Sequence, residues 1–347
     1  MRTYHIETLD EIFRKTAQDR IDSLAKPVGS LGKLEGVARK VATIQNTLNP
    51  QLKNPHHILF IADHGIVAEN VSPSPKEITW QQALNITQDG AGINIFTKQH
   101  NFNLIIVDAG TDYDFPKDIS IIDRKVRKGT RNFLHEAALT PDEVNFALTY
   151  GEEVVDLVAK NDCNILSIGE LGIGNTSVAS IWMSLLTNIP LQQCVGAGSG
   201  LSEEFTLRKY DILQQSVDRY TGPLTPMTIM SEFGGLEMIM AVGAMLRAAE
   251  LKMTIIIDGF LMSNSLLMAS KINPEVEQYA VFSHKSEERG HILLLEYLGV
   301  EPLLSLNFCL GEGTGAVCAY PLIESSVRMM NQMKSFEESR ISHINKF

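Results

Sequence analysis

The spacing of hydrophobic positions changes along this chain. Near the N-terminus Ile6, Leu9, Ile12, Phe13, Ile21 and Leu24 recur close to every 3.6 residues, the period of one helix face. Pro27, Gly29 and Gly32 interrupt this in "KPVGSLGKLE", after which Leu34, Val37, Val41, Ile44 and Leu48 predict a second helix. "NPQLKNP", from Asn49 to Pro55, reads as a linker. Beyond it the apolar residues come in short solid runs that stop abruptly at polar ones. "HHILFIADHG" stops at Asp63 and His64, "NLIIVDAGTD" at Asp108, and "CNILSIGELG" at Gly169 and Glu170. "MTIIIDGF" stops at Asp258 and "YAVFSHKS" at Ser283 and His284. Runs of this kind suit strands buried on both faces.

Helical stretches such as 176–186 and 235–249 separate the runs, and strands alternating with helices imply an α/β fold with a parallel sheet flanked by helices. In such a sheet the strand C-termini share one edge, where ligands bind. Asp63, Asp108, Glu170, Asp258 and Ser283 are therefore expected on one rim. The C-terminal part is again helical, with Leu322, Val327, Met329, Met330 and Met333, and the polar tail "KSFEESRISHINKF" is expected to fray. This predicts a large α/β domain over 51–299. A small helical domain of 1–50 with 300–347 is expected beside it, with the loop holding Glu312 at the junction.

Composition narrows the function. The chain has 347 residues and a formal charge of −11, with no basic patch that a nucleic acid would need. Any phosphate must be held by local backbone amides and a lysine or two. The cysteines, Cys163, Cys194, Cys309 and Cys318, form no C-x-x-C pair and read as reduced buried thiols. The N-terminus lacks the apolar core of a signal peptide, and no apolar run approaches the roughly 20 residues that span a bilayer. The expectation is a cytoplasmic protein with no nucleic-acid or membrane partner.

Five segments carry candidate chemistry. "SIGELGIGNTS" follows a strand and opens a helix; its glycines 169, 172 and 174 allow a tight turn, Asn175 or Thr176 is placed to cap, and bare helix amides attract anions. "VGAGSGL" is a second glycine loop, but neither loop has the offsets of a dinucleotide fingerprint. "SPSPKEITWQQ" offers Ser74, Lys76 and Gln82 as a lid or a substrate wall. "FSHKSEERGH" holds two histidines that, with His64, are metal candidates, although the tight local pairing of zinc motifs is missing. In "LGEGTGAVCAY" a single carboxylate, Glu312, stands between glycines and apolar flanks. Desolvation there would raise its pKa and make it a better proton acceptor. Glu170 is the other glutamate in a glycine turn, and two carboxylates at one rim suggest acid–base chemistry or stabilisation of a cationic transition state.

Taken in order, "KPVGSLGKLE", "ADHGIVAENVSPSPKEIT", "GELGIGNTS", "DGF" and "LGEGTGA" resemble the nicotinate-nucleotide–dimethylbenzimidazole phosphoribosyltransferase family from about Asp22 to about Glu324. The resemblance implies a Rossmann-like domain with a small helical domain from both chain ends, a homodimer, and neither metal nor redox cofactor. The implied reaction moves phosphoribose from nicotinate mononucleotide to a benzimidazole, giving α-ribazole phosphate and nicotinate for the lower ligand of cobalamin. It implies Glu312 as the base and Glu170 as a secondary carboxylate. The aromatic base would sit among Ser74, Gln82, Leu171 and Leu310. The phosphoribose would sit on Gly172, Gly174, Asn175, Gly198, Lys209 and Ser283. On this reading the glycines beside Glu312 let a flat ring approach its carboxylate. A nucleotide-sensing module on the same fold and a nucleotide-dependent dehydrogenase are the alternatives. The weak fingerprint opposes the second, and the pair Glu170 and Glu312 the first.

Overall fold

The computed structural model describes residues 1–196 and 203–342. Helices α1 (Glu11–Asp22) and α2 (Lys33–Gln45) precede strand β1 (His56–Ala62). Then come α3 (Ile78–Thr87), α4 (Gly92–Gln99), β2 (Asn103–Gly110), β3 (Ile121–Asp123), α5 (Pro141–Ala159), β4 (Ile165–Leu171) and α6 (Asn175–Thr187). The short α7 (Leu191–Cys194), α8 (Glu203–Arg219), α9 (Pro226–Phe233) and α10 (Leu236–Glu250) lead to β5 (Thr254–Ile257) and α11 (Gly259–Ile272). The chain closes with β6 (Ala280–Phe282), β7 (His284–Ser286), α12 (Arg289–Leu298), β8 (Leu304–Phe308), α13 (Thr314–Gln332) and α14 (Phe336–Ser339).

Six strands form a parallel sheet in the order β3-β2-β1-β4-β5-β6. The solid apolar runs divide between its two faces by simple alternation. Ile58 and Phe60 of β1, Leu166 and Ile168 of β4, and Ile255 and Ile257 of β5 enter one core with α5, α6, α10 and α11. Leu59, Ile61, Ile165 and Ile256 enter the other with Val37, Val41, Ala83, Ile93, Ala316, Val317 and Tyr320. The chain runs outward from β1 to β3 and returns at β4, so the crevice between the C-terminal ends of β1 and β4 is the expected place for a ligand.

A third core joins the chain ends: Ala17, Ile21 and Leu24 pack with Ala38, Ala42, Met329 and Met330. Several details differ from the sequence pattern. α1 begins only at Glu11, because the Asp10 carboxylate accepts hydrogen bonds from the N–H groups of Ile12 and Phe13 and caps the helix there. Ile6 and Leu9 lie before it and pack into the main core, and Ile12 is 81% exposed. The tail does not fray through Ser339: Ser335 and Glu338 form a capping box, Phe336 is buried, and Ala25 N–H donates to the Lys334 carbonyl. Cys163 and Cys194 are buried, but Cys318 is half-buried and Cys309 exposed, so only two of the four thiols are core groups. Among the described residues no helix is long and apolar enough to cross a membrane.

Candidate active site

A cavity of about 350 Å³ opens at the C-terminal ends of β4 and β5. Its lining includes Glu170, Leu171, Asp258, Leu310 and Glu312, with Ile78 and Gln82 of α3 on one side. A smaller cavity of about 100 Å³ shares Gly172, Ile173, Asn175 and Thr176 with it, and adds Ser72, Ser74, Gly174 and Lys209. The two form one elongated site around the turn between β4 and α6.

Glu170 lies near the end of β4 with 7% exposure. Burial, then the nearby carboxylates Glu237 and Asp258, push its pKa up to about 8, against the opposing hydrogen bond from the Asn175 side-chain amide. Asn175 therefore does not cap α6; the capping position belongs to Gly174, whose φ of +96° favours glycine. Below this turn His64 Nε2 lies 2.7 Å from Glu237 Oε1, both side chains fully buried. Burial opposes charge on His64, but the Glu237 carboxylate outweighs it and raises the ring's pKa.

Glu312 sits between β8 and α13 with 4% exposure. Gln82 Nε2 donates to its Oε1 at 2.5 Å, whereas Oε2 is buried without a hydrogen-bond partner in the protein. Burial raises its pKa and the Gln82 contact offsets part of the rise. The helix bearing Gln82 is tied down near its start by the stack of Trp80 on Tyr113, 4.4 Å between ring centres, and by the Lys76–Asp112 ion pair at 2.7 Å. The apolar segment before Glu312 does not bury it: β8 is largely exposed and Leu310 is 55% exposed. The backbone of β4 and the N-terminus of α13 enclose the carboxylate's loop instead. Nor are the flanking glycines open space for a ring. A Cβ on Gly311 would stand 2.7 Å from Glu170 Oε1, and one on Gly313 would overlap the His57 ring at Cε1.

Lys209 of α8 is 1% exposed and its Nζ donates to Thr176 Oγ1 at 2.8 Å. Burial pulls its pKa down to about 8, and Glu288 works against that fall. Asp258 accepts from Ala316 N–H at 2.8 Å and so anchors the first turn of α13; burial raises its pKa while His284 and the amides of Ala316, Gly315 and Gly313 lower it.

The residues expected at the site divide as follows. Glu170, Glu312, Gln82, Leu171, Leu310, Gly172 and Asn175 line the larger cavity. Ser74 does not; it lines the smaller one beside Gly174 and Lys209. Ser283 lines neither, because it is fully buried with its hydroxyl donating to the Ile257 carbonyl at 2.7 Å. Gly198 lies outside the described residues. Of the other strand-end acids, Asp63 lines a separate cavity, and Asp108 turns back onto the amides of Gly110 and Thr111. Sequence reasoning gave no role to Phe260, Ser286, Glu288 and Phe308, all on the cavity wall. The one usable signal was the polar string after Ser283, whose three-residue strand β7 is too short to register as a strand. His64 is held by Glu237, and the His291 nitrogens bond to Ser286 and Ser263. Among the described residues no cluster of histidine, cysteine and carboxylate groups is arranged to hold a metal.

Known proteins match this chain in sequence and fold over nearly its whole length. The phosphoribosyltransferase family model DBI_PRT matches residues 6–341. A nicotinate-nucleotide–dimethylbenzimidazole phosphoribosyltransferase of Bacteroides fragilis is 53% identical over 342 residues, 99% of each chain. One of Parabacteroides distasonis is 51% identical over 343 residues, again 99% of each. The crystal structure of CobT from Thermus thermophilus superposes with a TM-score of 0.92 at 35% identity, covering 95% of this chain and 99% of that one. With family model, sequence identity and fold matching over nearly its whole length, the chain belongs to the nicotinate-nucleotide–dimethylbenzimidazole phosphoribosyltransferase family.

Proposed function

We propose that the protein transfers phosphoribose from nicotinate mononucleotide to dimethylbenzimidazole or a similar flat aromatic base, forming α-ribazole phosphate and releasing nicotinate. The observation that carries this reading is Glu312, a buried carboxylate with one oxygen already bound to Gln82 and the other unpartnered, in the wall of a cavity continuous with a glycine turn and a buried lysine.

Breaking the bond at the anomeric carbon builds oxocarbenium character. Nicotinate leaves without a general acid because its ring nitrogen is already cationic in the nucleotide. One benzimidazole nitrogen attacks and the ring becomes cationic; the other N–H then gives its proton to Glu312, which balances the reaction. Gln82, Leu171 and Leu310 bound the aromatic ring. Gly172, Gly174, Asn175, Lys209 and Gly198 serve the phosphoribose, and Ser74 joins them at the phosphate end. A sensor on the same fold would gain nothing from an unpartnered buried carboxylate.

The proposed working form is a cytoplasmic homodimer without metal or redox cofactor. Its large α/β unit spans 51–299, and a small helical unit of 1–50 with 300–347 carries the Glu312 loop at the junction. α13 crosses between the two, its first turns packed on the sheet and its last turn in the third core. Incubation with nicotinate mononucleotide and dimethylbenzimidazole tests the activity: nicotinate release that requires both substrates is expected. Nucleotide binding without turnover would instead identify a sensor.

A further inference from the structure

Glu312 has a φ of +65°, in the left-handed region. A non-glycine residue held in such a region costs roughly 1–3 kcal/mol and persists only where its surroundings enforce it. Two backbone contacts do so here. Glu312 N–H donates to the Glu170 carbonyl at 3.3 Å, and the Glu312 carbonyl lies 2.8 Å from Nε2 of His57. His57 is fully buried on β1, and its other nitrogen, Nδ1, lies 2.7 Å from Oγ of Ser167. Ser167 is its register partner on β4.

The chemistry fixes the direction of both bonds. A carbonyl only accepts, so Nε2 carries the hydrogen. Burial pushes the His57 pKa down to about 4, so the ring is neutral and Nδ1 accepts from the Ser167 hydroxyl. Neighbouring glycines make room for this arrangement. Gly313, at φ +78°, would drive a Cβ into the His57 ring, and a Cβ on Gly169 would stand 2.6 Å from the Glu312 carbonyl carbon. His57 is not part of the cavity wall.

We propose that His57, oriented by Ser167, is a positioning residue that holds the Glu312 backbone in its left-handed conformation and so aims the carboxylate into the cavity. The proposal rests on the reading of Glu312 as the base. It assigns Gly311 and Gly313 of "LGEGTGA" to packing against Glu170 and His57, and the work of holding the carboxylate to a histidine outside the family strings.

The test compares His57→Leu, His57→Gln, Ser167→Ala and Glu312→Gln by steady-state kinetics with nicotinate mononucleotide and dimethylbenzimidazole, alongside thermal unfolding. His57→Leu keeps the bulk but loses the donor; its kcat should fall by about 10- to 100-fold, with KM for both substrates within about twofold of the parent. His57→Gln, which has both a donor and an acceptor, should recover most of kcat, and Ser167→Ala should fall between. A lowered Tm with parent kcat per folded molecule in His57→Leu would reduce His57 to a packing residue, and equal losses in the leucine and glutamine variants would sink the hydrogen-bond argument. Should His57→Leu not fold, Ser167→Ala decides: reduced kcat at unchanged KM supports the proposal, and parent kcat overturns it. An inactive Glu312→Gln beside a fully active His57→Leu overturns the positioning role alone. A fully active Glu312→Gln removes the base reading beneath it.

Discussion

Glu170 and Glu312 occupy nearly the same local sequence, a glutamate following a glycine at the mouth of a glycine turn, and both lie almost out of solvent. Their surroundings differ. Glu170 continues an ordinary strand, receives the Asn175 amide, and has Glu237, Asp258 and Glu312 as electrostatic neighbours. Glu312 is forced into a left-handed backbone, receives only Gln82, and leaves one oxygen bare. A carboxylate crowded by other acids keeps its proton near neutral pH and is a poor base. A carboxylate with a free lone pair and one stabilising donor is a good one. The same motif letters therefore support two roles, separated by what each side chain touches.

The largest expected effect exchanges these roles for neutrality one at a time. Glu312→Gln should fold, bind both substrates, and lose about 10²–10⁴-fold in kcat, because glutamine fills the space but accepts no proton. Glu170→Gln should cost about tenfold, and the double variant should be less than additive if both residues serve one transition state. Nicotinate release at saturating substrates measures all three. A near-parent Glu312→Gln with a dead Glu170→Gln would invert the comparison.

A smaller effect concerns the proton on Glu170. Its pKa is about 8 in the folded protein against an ordinary value of 4.5. Between those values the native state binds more protons than the unfolded chain, so this group's contribution to stability is complete below pH 4.5 and is lost as pH rises through 8. Thermal unfolding across this window should show the parent Tm falling with pH and Glu170→Gln flattening the slope. The slope should persist in Glu312→Ala if the acids on Glu170 are chiefly Glu237 and Asp258. In the active site the same proton has a second consequence: a cationic nicotinate ring favours ionised Glu170, so nucleotide binding near pH 7 should release up to about one proton. Calorimetry in buffers of different ionisation enthalpy measures this, and proton uptake on binding would contradict it.

Much of this arrangement was legible in the sequence for a physical reason. Buried parallel strands are solid apolar runs, and their abrupt polar ends alone place Glu170 and Asp258 at one edge. The family resemblance then implies Glu312, Gln82, Leu171 and Leu310. What stayed hidden depended on side-chain direction. Ile6 and Leu9 match a helical period, yet a carboxylate cap at Asp10 starts the helix later. The run "LSLNFCL" reads as buried but forms an exposed strand. His57 sits inside an apolar run like any strand residue, and only the fold brings its ring to the Glu312 carbonyl, 255 positions away.

The smallest predicted effect separates two serines three residues apart. The resemblance implies Ser283 as a phosphoribose contact, but its hydroxyl is fully buried and donates to the Ile257 carbonyl. Ser286 is on the cavity wall. Its N–H donates to His291 Nδ1 at 3.1 Å, and its hydroxyl lies 2.8 Å from the same nitrogen. Burial pushes the His291 pKa down to about 3, so the ring is neutral and that nitrogen accepts. Because the backbone N–H already satisfies it, the Ser286 hydroxyl can turn to a substrate oxygen without leaving a buried atom unpaired. Losing one such hydrogen bond costs about 1 kcal/mol, or roughly fivefold in an equilibrium constant. Ser286→Ala should raise KM for nicotinate mononucleotide by about that factor and leave Tm nearly unchanged. Ser283→Ala should lose about 1 kcal/mol of stability, from the lost hydroxyl hydrogen bond to the Ile257 carbonyl, which keeps only the residue-283 N–H as donor, with KM unaltered. Paired measurements of Tm and KM on the two variants distinguish the roles, and a raised KM in Ser283→Ala at parent stability would return that serine to the substrate site.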